Sequence, residues 1–264
     1  MPDEPTDIPA LLNMLRAGTA HLTAMAKSME FPWDPTIADP RRLHNMYARN
    51  LICAYASKFS DLSTSILHAV EHDHFFTYAL CGRALIESTA TLRYYVHHKY
   101  KPLLDKGSLD AKGFQQLIEI DDVHLRGSRF DWDSFLFRRY AKLKEDAITH
   151  LKDRKNKQKS ATISESITAQ QVNVLTCVEK WAEATPEVLI AYNLFCDLVH
   201  PNIGSTFLVA STAEDKLYFS RFRGEPVGRQ IFAQSFPILL SVTHKHFGEY
   251  LLVLMETIWQ DNEL

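Results

Sequence analysis

Glycine, cysteine, excess charge and long apolar runs are all scarce in this chain of 264 residues, and each scarcity excludes a class of protein. The four cysteines are scattered and form no C-x-x-C pair, so they predict reduced thiols in a core and favour a cytoplasmic location. No apolar run approaches the roughly 20 residues of a membrane span. Residues 2–5, Pro-Asp-Glu-Pro, also lack the basic and apolar regions of a signal peptide.

The charge balance gives no general attraction to nucleic acid or to an anionic membrane. Lys and Arg number 29 against 32 Asp and Glu, for a formal net charge of −3. Any contact with RNA must therefore be local. The basic segment 152–159 is one such place, because its lysines and arginine can touch a phosphate backbone, although a solvated loop has the same composition.

The few glycines and the apolar residues spaced three and four apart predict an all-α fold, a bundle of about seven to eight helices. Asp39-Pro40 has the side-chain oxygen and the proline that favour a helix start. Pro237 predicts a kink or a break in the last helix. The predicted helices span residues 8–29, 40–71, 74–104, 109–120, 131–156, 168–184, 186–200 and 228–260.

One segment departs from the helical pattern. Residues 206–210 and 217–222 are rich in β-formers and flank a polar turn at 212–216, which predicts one small β-hairpin near 205–223. A Ser/Thr-rich stretch follows the basic run, so residues 152–171 are expected to form a mobile loop. We expect a single helical domain over residues 1–264, with this loop inside it.

Two polar side chains interrupt a largely apolar helix in the stretch Arg83-Ala-Leu-Ile-Glu87. Arg83 and Glu87 lie one turn apart, and this spacing is typical of a structural ion pair. The alternative is functional, with Arg83 holding an anion such as a phosphate and Glu87 orienting its guanidinium.

A second polar group lies about 110 residues further along the chain, just before Pro201. Asn193, Asp197 and His200 follow the spacing i, i+4 and i+7, which predicts that they share one side of an apolar helix. A carboxylate beside an imidazole sets its tautomer, as general acid or base catalysis requires. In the alternative interpretation, His200 caps the carbonyls at the helix end.

A metal site is a third hypothesis. His68 and His72 lie one helical turn apart with Glu71 beside them, a spacing that suits two metal ligands. The end of one helix and the start of the next is equally a common place for histidine. The motifs G-x-S-x-G, H-E-x-x-H, G-x-G-x-x-G and the P-loop are absent, and the sequence predicts no cofactor.

The combination of Arg83-Ala-Leu-Ile-Glu87 with Asp197-Leu-Val-His200-Pro201 resembles a bacterial family of helical proteins of unknown function, over about residues 40–260. More broadly, the chain is similar to the all-helical HEPN superfamily, which includes ribonuclease toxins and defence effectors. The HEPN pattern R-x(4 to 6)-H fits Arg93 and His98, with Tyr94 where a polar residue is expected. A second stretch, Arg49-Asn50, has the arginine and the polar residue of the pattern, but Ala54 occupies the histidine position.

These features leave three functions open. The first is an interaction or sensing module, linked to bacterial defence or stress, that binds another protein or forms a homodimer through exposed aromatic residues such as Phe207, Tyr218 and Phe222. The second, which the HEPN resemblance implies, is a metal-independent ribonuclease in which an arginine holds the phosphate and His200 or His98 moves the proton. The third is a small metal-dependent enzyme.

Overall fold

The computed structural model describes residues 7–29, 34, 36–107, 109–125, 138–139, 141–142, 144–145, 148–149, 173–208, 210–213, 216–219 and 225–259. The chain divides into two compact units, Met1–Asp121 with Asn173–Leu264, and Asp122–Val172. The predicted loop 152–171, with its basic run, lies outside the described residues. So does most of the predicted helix 131–156, and the prediction of a single domain stays a prediction.

The described residues form a helical bundle, which confirms the all-α prediction. Asp39 accepts a hydrogen bond from the Arg41 amide at 3.0 Å, so the predicted start at Pro40 is also confirmed. The helices are α1 Ile8–Ser28, α2 Pro40–Glu71, α3 Phe75–Tyr95, α4 Lys101–Leu104, α5 Ala111–Leu125, α6 Val174–Ala182, α7 Glu187–Val199, α8 Ile203–Phe207 and α9 Glu225–Trp259.

Two elements differ from their predicted form. The predicted helix 74–104 is divided by a π-helical turn, Val96–Tyr100, between α3 and α4. Of the kink or break predicted at Pro237, the break does not occur, because helix α9 continues through this residue. Phe236 and Leu239, on either side of the proline, are buried, and their packing holds the helix together where one backbone hydrogen bond is lost.

The predicted hairpin segment begins with a helix. Residues 203–207 form α8, which starts at the Asn202 cap and covers the first two residues of the strand predicted at 206–210. The strands are β1 Ala210–Ala213 and β2 Lys216–Phe219, which pair antiparallel with Ala210 opposite Phe219 and Ala213 opposite Lys216. Of the three aromatic anchors predicted here, Phe207 is partly buried in α8. Phe222 and the side chain of Tyr218 lie outside the described residues.

Helix α3 is the centre of the bundle, in contact with α2, α6, α7 and α9. Its Tyr78 ring packs edge-on against Phe195 of α7 and Phe232 of α9, with centroids 5.5 and 5.2 Å apart. Gly82 lets α7 approach closely, because a β-carbon at this position would lie 2.3 Å from the Phe195 ring.

A chain of polar side chains crosses the buried interior. The Tyr100 hydroxyl donates to Asp121 Oδ1, and the other carboxylate oxygen, Oδ2, lies 2.8 Å from His44 Nδ1. The second ring nitrogen of His44 lies 3.2 Å from the Thr257 hydroxyl. His44 and Asp121 are fully buried, so the network joins α2, the π-helical turn, α5 and α9 without access to water.

Replacing His44 by alanine is expected to lower the free energy of unfolding by about 3–5 kcal/mol, because it leaves the buried Asp121 carboxylate without its imidazole partner. Urea denaturation monitored by circular dichroism measures this loss. His21→Ala on the exposed side of α1 is the matched control and changes the free energy by less than about 0.5 kcal/mol. Equal losses in the two variants would contradict a stabilising role for the network.

Candidate functional site

The two polar stretches singled out from the sequence meet in space. Arg83 on α3 donates from Nε to Glu87 at 2.9 Å, and its Nη1 lies 3.5 Å from Nε2 of His200. The guanidinium also lies over the Tyr192 ring of α7, 5.9 Å from the ring centroid. We name Arg83, Glu87, His200 and Tyr192 the α3–α7 cluster.

The charges of this cluster largely neutralise each other. The side chains of Arg83 and Glu87 are each 29% exposed, so the pair lies at the surface rather than in the core. Partial burial opposes the charged form of Arg83, but the hydrogen bond to Glu87 and the negative charge of Glu87 raise the pKa of Arg83 above its ordinary value. Glu87 therefore already compensates the guanidinium charge.

The predicted pairing of Asp197 with His200 is wrong. Helix α7 ends at Val199, and His200 is extended, with φ −77° and ψ 150°, because Pro201 disfavours helical geometry at the residue before it. Asp197 instead accepts a hydrogen bond from the Asn202 side chain at 2.5 Å. A β-carbon on Gly204 would lie 2.3 Å from the Asp197 carboxylate, so Asp197 packs directly on α8. The predicted partner Asn193 is exposed on α7.

A second group of polar side chains surrounds a cavity of about 300 Å³ beyond the end of α3. The cavity brings His97 and the cations Arg93 and Lys101 together with His246, which lies about 150 residues further along the chain. Its lining residues are Arg93, His97, Lys101, Thr185, His246, Glu249, Tyr250 and Val253, and we name it the Arg93 cavity.

The π-helical turn determines which histidine faces the Arg93 cavity. His97 lines it and packs edge-on against Tyr250, with ring centroids 5.5 Å apart. His98, the predicted catalytic residue, is exposed, and its ring lies 4.9 Å from that of Tyr94. The arginine of the predicted pair therefore lines the cavity while its histidine does not, and the adjacent His97 takes that place.

Helix α9 supplies the opposite wall. Glu249 Oε2 lies 3.3 Å from Nδ1 of His246, so the carboxylate holds one ring nitrogen and leaves Nε2 free for a ligand. The His246 ring also packs edge-on against Trp181 at 5.6 Å. Two contacts from different elements thus restrict the orientation of the imidazole.

Charge and burial set the protonation of the groups in the cavity. Burial lowers the pKa of His97 below its ordinary 6.5, and the nearby charges of Arg93 and Lys101 lower it further. His97 is therefore neutral at pH 7. Burial also raises the pKa of Tyr250, against the opposing effect of Arg93, so its phenol keeps its proton.

The residues proposed as metal ligands have other partners. The rings of His68 and His72 stack with centroids 4.2 Å apart, and His72 Nδ1 lies 2.9 Å from the His68 carbonyl oxygen. Glu71 accepts a hydrogen bond from Arg16 at 3.0 Å. Among the residues that the structure describes, no group of three or more His, Cys, Asp or Glu side chains has the arrangement to hold a metal ion.

Sequence reasoning missed most of the Arg93 cavity. His97, Lys101, His246, Glu249 and Tyr250 were not predicted as site residues. A signal for them is present, since Arg93, His97 and Lys101 follow one another every four residues and His246, Glu249 and Tyr250 have i, i+3 and i+4 spacing. Nothing in these spacings, however, indicates that the two helices pack together.

No family model, curated protein or solved structure matches this chain. The resemblance to the bacterial helical family and to HEPN proteins therefore stays a prediction. Within the described part of the chain, no helix has both the length and the apolar character of a membrane span.

The pKa of His97 is expected to lie below 6.5, and replacing Arg93 by glutamine is expected to raise it, because the variant removes a neighbouring positive charge. An NMR titration of the His97 ring protons measures both values. Arg83→Gln removes the same charge outside the cavity and is the matched control, which leaves the titration of His97 unchanged. A His97 pKa above 6.5 in the wild type would contradict this description.

Proposed function

We propose that the protein is a metal-independent ribonuclease and that the Arg93 cavity is its active site. The observation that carries the proposal is that His97 and His246 line one cavity together with Arg93 and Lys101. Cleavage of RNA through its 2′-hydroxyl needs two proton-transfer groups and positive charge at the phosphate, and needs no metal. This cavity offers all of them.

Arg93 and Lys101 hold the scissile phosphate. A guanidinium binds two phosphate oxygens at once, whereas an ammonium acts as a point charge. Arg93 Nη1 also donates to the Lys180 carbonyl at 3.3 Å, and this contact orients the side chain at the cavity wall. Both cations stabilise the negative charge that develops on the phosphate oxygens in the transition state.

His97 is the general base, because it is neutral at pH 7. It takes the proton of the ribose 2′-hydroxyl, and the 2′-oxygen then forms a bond to phosphorus. The bond from phosphorus to the 5′-oxygen breaks. His246 acts in its doubly protonated form, with its Nδ1 hydrogen held by Glu249, and gives its Nε2 proton to that leaving oxygen. The products are a 2′,3′-cyclic phosphate and a free 5′-hydroxyl, and no oxidant or other reactant is consumed.

Glu249 and Tyr250 support this chemistry from the next turn of α9. Glu249 holds Nδ1 of His246 and so directs Nε2 towards the phosphate. Tyr250 packs against His97 and keeps its ring in one orientation. The phenol of Tyr250 keeps its proton, so it is a hydrogen-bond donor for a phosphate oxygen.

His97→Ala is expected to reduce RNA cleavage by about 10²–10⁴-fold, because it removes the general base. The measurement is the rate of cleavage of a fluorescent single-stranded oligoribonucleotide with EDTA present, with the 2′,3′-cyclic phosphate product identified by mass spectrometry. His98→Ala is the matched control, since this exposed neighbour does not line the cavity and its removal leaves the rate within about twofold. Equal activities of the two variants would reject His97 as the base.

The pH dependence gives a separate prediction. Only neutral His97 accepts a proton, so kcat/KM is expected to rise with pH as His97 loses its own proton. This acid limb should have a pKa below the ordinary 6.5, and near pH 7 kcat/KM should no longer change with the protonation of His97. Lys101→Gln removes a charge that lowers the pKa of His97, and it therefore moves the acid limb to higher pH. An acid limb that does not move in this variant would contradict the assignment of His97.

A further inference from the structure

Helix α3 exposes a stripe of apolar side chains although it lies at the centre of the bundle. Phe76 and Leu80 are 47% and 45% exposed, and both precede the ion pair of Arg83 and Glu87 on the same face of the helix. Leu189 of α7, 38% exposed, is also close to this face, because the next turn of α7 carries Tyr192 under the Arg83 guanidinium. Exposed apolar side chains grouped on one face are typical of an interface between proteins.

A recess of about 220 Å³ lies beside the C-terminal half of the stripe. Glu87, Ser88 and Thr91 of α3 form one of its walls, and residues of α2 form another. The stripe therefore has two different halves. Phe76 and Leu80 project into solvent on one side of the ion pair, and a recess of suitable size for a leucine side chain opens on the other.

We propose that a second copy of this chain docks on the stripe, with the two α3 helices antiparallel around a two-fold axis close to residue 85. With this axis, a residue a given number of positions before residue 85 in one copy lies opposite the residue the same number of positions after residue 85 in the other copy. Arg83 of one copy then faces Glu87 of the other, and the reverse pair forms at the same time, as an isologous interface requires. Leu80 of each copy faces residue 90 of the other and enters the recess between Glu87 and Thr91.

Charge complementarity favours a second copy over an unrelated partner. A single helix face that carries one cation and one anion a turn apart is complementary to itself when it is reversed. The two pairs make an alternating square of four charges, and the surrounding Phe76, Leu80 and Leu189 side chains exclude water from it. Ion pairs that lose water in this way contribute to orientation and specificity more than isolated surface pairs do.

Analytical ultracentrifugation at micromolar concentration tests the dimer, and we expect the wild type to sediment as one. Leu80→Glu puts a charge into the recess and is expected to weaken dimerisation by about 30-fold or more, the effect of losing an interface hot spot. Ile190→Glu is the matched control, because Ile190 is 63% exposed but lies about 100° around α7 from Leu189. This variant is expected to remain a dimer.

Two charge reversals test the antiparallel arrangement itself. Arg83→Glu makes all four facing charges negative, Glu87→Arg makes all four positive, and each variant alone is expected to be monomeric. An equimolar mixture of the two restores opposite charges across the interface, so it is expected to form a heterodimer. The double variant R83E/E87R should form a homodimer again.

Circular dichroism establishes that each variant is folded before its sedimentation is compared. A monomeric wild type at about 100 μM would overturn the proposal, as would a dimer that Leu80→Glu and Ile190→Glu weaken equally. A dimer that survives both charge reversals, or a mixture that stays monomeric, would exclude this two-fold arrangement. None of these variants alters a residue of the Arg93 cavity.

Discussion

The buried chain of Tyr100, Asp121, His44 and Thr257 is the constraint on which the arrangement of this bundle depends. Burial raises the pKa of Asp121, and the hydrogen bonds from His44 and Tyr100 oppose that effect, so the carboxylate is tolerable only where both partners are in place. This requirement fixes α2 and α5 against each other in one register. It also fixes the π-helical turn, which carries Tyr100, against α9, which carries Thr257.

The Arg93 cavity depends on the same network. His97 lies three residues before Tyr100, and Tyr250 lies seven residues, or two helical turns, before Thr257. The two walls of the cavity are therefore held by the two ends of one hydrogen-bonded chain. Wide turns of the π type are frequent at functional sites because they redirect side chains that a regular helix would place elsewhere. Here the turn aims His97 inward and leaves its neighbour His98 in solvent.

Local signals predicted the helical character of this fold and several of its helix positions, and long-range contacts decided what those signals could not. The helix start at Pro40 follows from a cap and the proline after it, and the Arg83 and Glu87 pair follows from helical spacing. The Asp197 and His200 pair failed because Asn202 competes for the carboxylate once Pro201 has ended the helix. The meeting of His97 with Tyr250 spans about 150 residues, and helical periodicity carries no information on which helices become neighbours.

The two clusters on α3 differ in what their charges leave available. In the α3–α7 cluster, Glu87 already takes the Nε hydrogen of Arg83, and a phosphate would have to displace this carboxylate or bear its repulsion. In the Arg93 cavity, the carboxylate of Glu249 is held by His246, and Arg93 and Lys101 lie on the opposite wall. An anion therefore gains more at Arg93 than at Arg83. The Arg83 and Glu87 pair is better suited to contact the same pair in a second copy of the chain. The charges of the α3–α7 cluster therefore favour association of two copies, whereas the charges of the Arg93 cavity favour phosphate binding.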